Sequence, residues 1–221
     1  MKVFLDSASA DDLRRFIKWG IIDGVTTNQK IFLQEKGVDF KSRIIELCEL
    51  AKNKPVSVES NGNTVEEIVN DAKNFTSIAS NVVAKVPMTA DGIGLESVAI
   101  LSKDNIPTNV TAMMNLNQLM LATKAGATYV SLFFNRARDA GEDPVEIIKQ
   151  YITWTEKNNF KSKLIVGSIR KPFDVEEVAS AGAHIITITP NIMEQLPYHA
   201  KTEETLKEFD DAWKEFTSSQ S

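Results

Sequence analysis

Lys85 lies in Val82-Val83-Ala84-Lys85-Val86-Pro87, a segment too apolar for a solvated lysine. Burial of an ammonium costs free energy and favours the neutral amine. A neutral amine can attack a carbonyl and form a Schiff base. The competing reading is a lysine whose stem runs past the end of a strand and whose head reaches water. A Schiff-base lysine needs groups that move protons, and two carboxylates end neighbouring apolar runs. These are Asp6 in Phe4-Leu5-Asp6-Ser7 and Glu59 in Ser57-Val58-Glu59-Ser60. One could move protons through a water while the other orients or deprotonates a substrate hydroxyl. Asp6 could instead cap a helix starting near Ala10, and Glu59 could form an ion pair with Lys85.

The chain has six arginines, and Arg136, Arg138 and Arg170 follow the sixth and seventh apolar runs. The planar guanidinium suits phosphate oxygens. Ser168, two residues before Arg170, could add a hydroxyl to the same anion. Surface ion pairing is the alternative for Arg136 and Arg170, and Arg138 beside Asp139 reads as solvated. No glycine-rich phosphate loop is present. His184 reads as structural, and no role is assigned to His199. Met113, Met114 and the tryptophans Trp19, Trp154 and Trp213 read as packing residues.

Composition narrows the chemistry. One cysteine, Cys48, and two histidines in 221 residues leave no intrachain disulfide, no Cys/His zinc cluster and no Cys-x-x-Cys site. A net charge of −5 argues against a general nucleic-acid surface. No stretch approaches the ~20 apolar residues that span a bilayer. The start, Met1-Lys2-Val3-Phe4-Leu5-Asp6, does not read as a signal peptide, so a cytoplasmic protein is expected.

These groups need elements to position them. Eight short apolar runs alternate with segments of helical spacing: Val3-Leu5, Ile22-Thr26, Val56-Glu59, Val82-Val86, Ile106-Val110, Tyr129-Phe133, Leu164-Ser168 and His184-Ile188. Near-continuous apolarity fits parallel strands covered on both faces. Gly126 and Gly182 stop helices just before strands. The pattern predicts a (β/α)₈ barrel, an α/β fold, as a single domain over residues 1–221; a doubly wound open sheet is the alternative. Barrel chemistry gathers at the C-terminal strand ends, where every run has a polar group. These include Asp6, Thr26, Thr27, Asn28, Glu59, Lys85, Asn109, Thr111, Ser131, Arg136, Ser168, Arg170, Thr187 and Thr189. An extra amphipathic helix over Thr202 to Phe216 carries a stripe of Leu206, Phe209, Trp213 and Phe216, which packs either on its own barrel or on a neighbouring subunit. A polar tail runs from Thr217 to Ser221.

In order, Phe4-Leu5-Asp6-Ser7-Ala8, Gly24-Val25-Thr26-Thr27-Asn28, Val83-Ala84-Lys85-Val86-Pro87-Met88-Thr89, Ser131-Leu132-Phe133-Phe134-Asn135-Arg136 and Ser168-Ile169-Arg170-Lys171-Pro172 resemble the transaldolase family. The likeness is to its small-subunit branch, which also holds fructose-6-phosphate aldolase, and it covers essentially the whole chain. The resemblance implies a (β/α)₈ barrel without metal or organic cofactor that transfers a dihydroxyacetone unit between sugar phosphates. It implies Lys85 as Schiff-base lysine and Asp6 as acid/base at the substrate hydroxyl. Glu59 would act through a water held with Thr111 in carbinolamine formation and breakdown. Thr26, Asn28, Asn109 and Ser131 would surround the substrate, and Arg136, Ser168 and Arg170 would hold its phosphate.

The related aldolases carry glutamine where Glu59 stands and tyrosine where Phe133 stands, so the resemblance favours transfer over cleavage. Three positions depart from the family pattern. Gln29 replaces a proline that would stiffen the loop orienting Asn28, Leu132 stands where proline is common, and Asn135 is the aldolase-like residue at its position. The resemblance also implies a homo-oligomer, a ring of five or a pair of rings making ten. The expected partners are sugar phosphates, with no nucleic acid and no membrane. The alternatives are a fructose-6-phosphate aldolase releasing free dihydroxyacetone, and a non-catalytic sugar-phosphate-binding barrel.

Overall fold

A computed structural model describes residues 1–219. Gln220 and Ser221, the end of the polar tail, lie outside the described residues. In chain order the elements are β1 (Lys2–Asp6), α1 (Ala10–Ile17), β2 (Gly24–Thr26), α2 (Gln29–Phe32), α3 (Phe40–Ala51), β3 (Val56–Glu59), α4 (Val65–Thr76), β4 (Val82–Pro87), α5 (Ile93–Lys103), β5 (Thr108–Met113), α6 (Leu116–Lys124), β6 (Tyr129–Phe133), α7 (Phe134–Asp139), α8 (Pro144–Lys157), β7 (Lys163–Gly167), α9 (Pro172–Ser180), β8 (Ile185–Ile188), α10 (Pro190–Gln195) and α11 (Ala200–Ser218). The strands are parallel and close as β1-β2-β3-β4-β5-β6-β7-β8, a (β/α)₈ barrel with additional helices.

All eight predicted strands are present, with shifted ends. The fifth run extends past Val110 to Met113, so Thr111 lies within β5. The register slips between Val110 and Met113, and Ala112 takes φ 62° in that irregularity. Bulges of this kind re-aim side chains beside active sites. Periodicity did not reveal the short helices α2, α7 and α10, because four to six residues do not complete an amphipathic repeat.

Local polar chemistry sets the helix starts. Ser9, not Asp6, caps α1, its side chain accepting from the Asp12 amide. That removes capping as the explanation of Asp6. Thr64 and Glu67 form a capping box on α4, and Asp143 with Pro144 opens α8. His199 caps α11, accepting from the Lys201 amide. His184 Nδ1 accepts from the Leu164 amide at 3.1 Å, tying β7 to the residue before β8, as a structural histidine should.

The main core lies between the sheet and its ring of helices, and a smaller one plugs the barrel floor with Phe4, Ile165 and Ile185, against which Tyr129 packs. Gly24 is paired with Phe4 in the ladder, and a Cβ there would stand 2.6 Å from the Phe4 ring. The plug therefore requires glycine at that point. Cys48 packs in the outer core, where burial pushes its thiol up to about 11.

One packing expectation needs correction, and one of two alternatives falls away. Trp154 stacks on Phe160, but Trp19 and Trp213 are exposed. Helix α1 stops at Ile17, leaving Trp19 in the following turn, edge-to-face with Phe16. Helix α11 buries none of its residues: Leu206, Phe209, Trp213 and Phe216 are 55%, 66%, 63% and 52% exposed. Its stripe does not pack on its own barrel. Thr217 and Ser218, expected in the polar tail, belong to this helix.

Candidate active site

Strand register puts the candidate groups side by side. Asp6 pairs with Thr26, Glu59 with Lys85, and Lys85 with Asn109. Residues at one register on parallel strands project to one side of the sheet, here the barrel interior above the Phe4 plug.

Lys85 is 4% exposed. Its Nζ lies 3.1 Å from Glu59 Oε2 and donates to the Thr27 carbonyl at 2.9 Å. The head stays inside the barrel and does not snorkel to water. The ion pair considered for Glu59 exists, and it joins the proposed amine to a carboxylate without an intervening group. The Thr27 carbonyl had no side-chain signature by which sequence reading could have found it.

Asp6 Oδ1 accepts from Thr26 Oγ1 at 2.6 Å, and Thr26 Oγ1 lies 2.6 Å from Thr187 Oγ1. Thr26 has one hydroxyl proton. While Asp6 is ionised, that proton serves Asp6 and Thr187 must donate to Thr26. Burial pushes the Asp6 carboxyl above its ordinary value. Lys85 and the Thr26 hydrogen bond pull downward, and Glu59 adds a smaller upward push. A carboxyl that desolvation holds above its ordinary value keeps its proton more readily than a solvated one, which suits acid–base work on a substrate hydroxyl.

Opposite this chain of hydroxyls, Asn109 Nδ2 donates to Ser57 Oγ at 3.2 Å and Ser131 Oγ donates to Asn109 Oδ1 at 2.7 Å. Thr111 Oγ1 is buried and has no hydrogen-bond partner among the described residues, so its capacity is available to a bound molecule. Asn28 Oδ1 caps α2 through the Ile31 amide at 3.0 Å. Gln29, in the proline position, donates to the Ser60 carbonyl at 3.2 Å and to Asn61 Oδ1 at 2.8 Å. Cross-loop hydrogen bonds thus tie down the Asn28 loop where proline would have stiffened it.

A cavity of about 110 Å³ is lined by Asp6, Thr26, Asn28, Lys85, Thr111, Ser131, Phe133, Arg136, Ser168 and Thr187, with Gly167. It opens into a wider basin of about 820 Å³ that shares Asp6, Asn28, Phe133 and Arg136 and adds Glu59 and Lys30. Arg136 lies with its guanidinium carbon 5.0 Å from the centre of the Phe133 ring. Asn109 sits beneath the cavity as support for Ser131.

Arg170 stands apart from this group. It is turned to Asp139, with contacts of 2.5 and 3.1 Å, and lines neither cavity. Arg138 was expected to be solvated beside Asp139. It reaches Glu177 at 3.0 Å instead and lies over the Phe134 ring, because α7 points it at α9. Among the described residues no cluster of His, Cys, Asp and Glu could hold a metal ion, and no helix is long and apolar enough to cross a membrane.

A profile of the family described as Transaldolase/Fructose-6-phosphate aldolase matches residues 3–221. A probable transaldolase of Exiguobacterium sibiricum is 40% identical over 213 residues, covering 96% of this chain and 98% of its own. One from Lactiplantibacillus plantarum is 39% identical over 220 residues, with both chains fully covered. One from Kosmotoga olearia is 37% identical over 216 residues, covering 98% of this chain and 97% of its own. With a closed eight-stranded barrel, a buried lysine–carboxylate pair at its mouth and similarity along its whole length, this chain belongs to the Transaldolase/Fructose-6-phosphate aldolase family.

Proposed function

We propose that this protein is a transaldolase, moving a dihydroxyacetone unit from sedoheptulose 7-phosphate to glyceraldehyde 3-phosphate to give erythrose 4-phosphate and fructose 6-phosphate. The observation that carries the reading is Lys85 Nζ, buried at the end of a cavity, 3.1 Å from Glu59 and sharing that cavity with Asp6. Lys85 passes a proton to Glu59 and its amine attacks C2 of the ketose. Glu59 and Thr111 move protons as the carbinolamine loses water to form the iminium. Asp6 takes the proton of the C4 hydroxyl, the C3–C4 bond breaks, and its electrons pass into the iminium to form an enamine. The shortened aldose phosphate departs. The enamine then attacks the acceptor aldehyde, Asp6 returns its proton, and water releases the ketose product. Arg136, Ser168 and Arg170 hold the phosphate, with Arg170 leaving Asp139 to do so.

The inner cavity supports a small bound unit, since its 110 Å³ is roughly four times the volume of one water. Phe133 at its rim has no hydroxyl with which to protonate the enamine, which supports persistence of that intermediate until an acceptor arrives. Supplying fructose 6-phosphate with and without erythrose 4-phosphate tests the reading. Turnover is expected only with the acceptor, and steady release of dihydroxyacetone without it would establish the aldolase instead.

Phe133→Tyr is expected to raise acceptor-independent dihydroxyacetone release by about 10-fold or more, within the range of a positioned proton donor, while transfer declines. A coupled assay for free dihydroxyacetone measures it, and an unchanged release rate would remove Phe133 from the account of transfer. The exposed aromatic stripe of α11 supports a homo-oligomer in which this helix packs on a neighbour.

A further inference from the structure

The loop after β7 contains a backbone conformation that its sequence does not favour. Ser168 has φ 62°, a left-handed geometry that a residue with a Cβ rarely adopts. Such a residue persists where its surroundings over-determine it, and such sites cluster where function demands a fixed geometry. The surroundings here are specific. The Ser168 carbonyl accepts from Asn135 twice, from Nδ2 at 2.9 Å and from the backbone amide at 3.4 Å. Asn135 Nδ2 also donates to Asp174 Oδ2 at 2.6 Å. The same Asp174 oxygen accepts from the Arg170 amide at 2.8 Å and the Lys171 amide at 3.2 Å. Asp174 is 0% exposed and Asn135 6%. Asp174 Oδ1 has no hydrogen bond among the described residues, and Arg138 Nη1 is 3.8 Å from it.

One buried carboxylate oxygen thus gathers the amides at both ends of the turn from Arg170 to Lys171 and the side chain of Asn135. Asn135 immediately precedes Arg136. The network therefore links the β6 end, which carries Arg136, to the β7 end, which carries Ser168 and Arg170. We propose that Asp174, acting through Asn135, is a positioning residue that holds the loop from Ser168 to Lys171 in register with Arg136 so that the two strand ends grip one phosphate together. Neither side chain lines the cavity, so both act through other groups. The proposal deepens the function proposed above and rests on its assignment of Arg136, Ser168 and Arg170 to the phosphate.

The test compares fructose 6-phosphate with fructose as donor, using unphosphorylated glyceraldehyde as acceptor throughout. Asp174→Ala is expected to raise KM for fructose 6-phosphate by about 10- to 100-fold, the range seen when outer-shell partners of ligand-holding groups are removed. Its kcat should change less than about threefold, and kcat/KM for fructose should be nearly unchanged. Inhibition by inorganic phosphate should weaken in parallel. Asn135→Ala leaves Asp174 its two backbone donors and should give the same shift by a smaller factor; it carries the test if Asp174→Ala does not fold. Asp174→Asn, which still offers an acceptor to both amides, should recover part of the loss. Equal losses for fructose and fructose 6-phosphate would mark a merely structural role and overturn the proposal, as would unchanged preference in both alanine variants. A wild-type enzyme that does not prefer the phosphorylated donor would overturn the phosphate assignment itself, and the proposal with it.

Discussion

Lys85→Met is expected to lower kcat by on the order of 10⁴-fold or more, the scale of losing a covalent nucleophile. It should also abolish the adduct trapped by borohydride with fructose 6-phosphate. Methionine keeps the apolar stem that β4 packs while removing the amine. The loss follows from the cavity's composition: Lys85 is its only lining lysine, and Lys30 belongs to the outer basin. The substitution also strips Glu59 of its cation and the Thr27 carbonyl of its donor. Leaving such partners unsatisfied costs about 1–3 kcal/mol, so thermal unfolding should begin earlier. Far-UV circular dichroism at the assay temperature separates this from loss of chemistry. A folded variant that still traps a three-carbon adduct, or that loses less than about tenfold in kcat, would disprove Lys85 as the Schiff-base residue.

Asp6→Asn is expected to lower kcat by about 10²- to 10⁴-fold, the range of a lost general acid–base group, and yet to raise Tm at neutral pH. The two effects share a cause. Burial raises the Asp6 carboxyl above its ordinary value of 3.8, which means that ionised Asp6 is held at a cost to the fold. The favourable contribution of the protonated group is fully present below the unfolded value and is lost as pH rises through the folded one. At neutral pH the wild type carries that cost and an asparagine does not. The stability advantage of Asp6→Asn should therefore shrink as pH falls towards 3.8. In the wild type the acid limb of kcat/KM should lie above the ordinary carboxylate range. Differential scanning calorimetry across pH checks the first statement, and the pH–rate profile checks the second. A Tm advantage that grows towards acid pH would contradict the burial argument. Strained or desolvated catalytic groups that weaken a fold are a general source of trade-off between stability and activity.

Much of this molecule was legible in its residue order. Eight apolar runs of strand length, separated by helical spacing, have few ways to bury both faces, and closure is the economical one for a chain this short. Asp6, Glu59 and Lys85 stood out because a charged group at the end of an apolar run has to be accounted for. Short helices were not legible. Neither was the fate of Trp19, because whether one more helical turn forms beyond Ile17 depends on tertiary packing.

The site's connections were less accessible than its members. Thr187 was visible as a strand end, but nothing local announced that its hydroxyl meets Thr26 across β1 in the cavity. Asn135 stood out only as a departure from a family pattern, and Asp174 did not stand out at all. A short acidic side chain near a helix start is ordinary, and its meaning comes from the three groups that donate to it, one of them 39 residues away. Arg170 shows the opposite limit. Its position in the chain pointed to phosphate, but an exposed guanidinium takes the nearest carboxylate, here Asp139.

By itself, the order of residues determined the fold class and the reactive groups that stand at the strand ends, because these follow from hydrophobic period and side-chain type. Only the tertiary structure decided which groups share a proton, which loops are locked together and which arginine faces the cavity. Those depend on strand register and on distances of about 3 Å between residues far apart in sequence, and no local pattern encodes them.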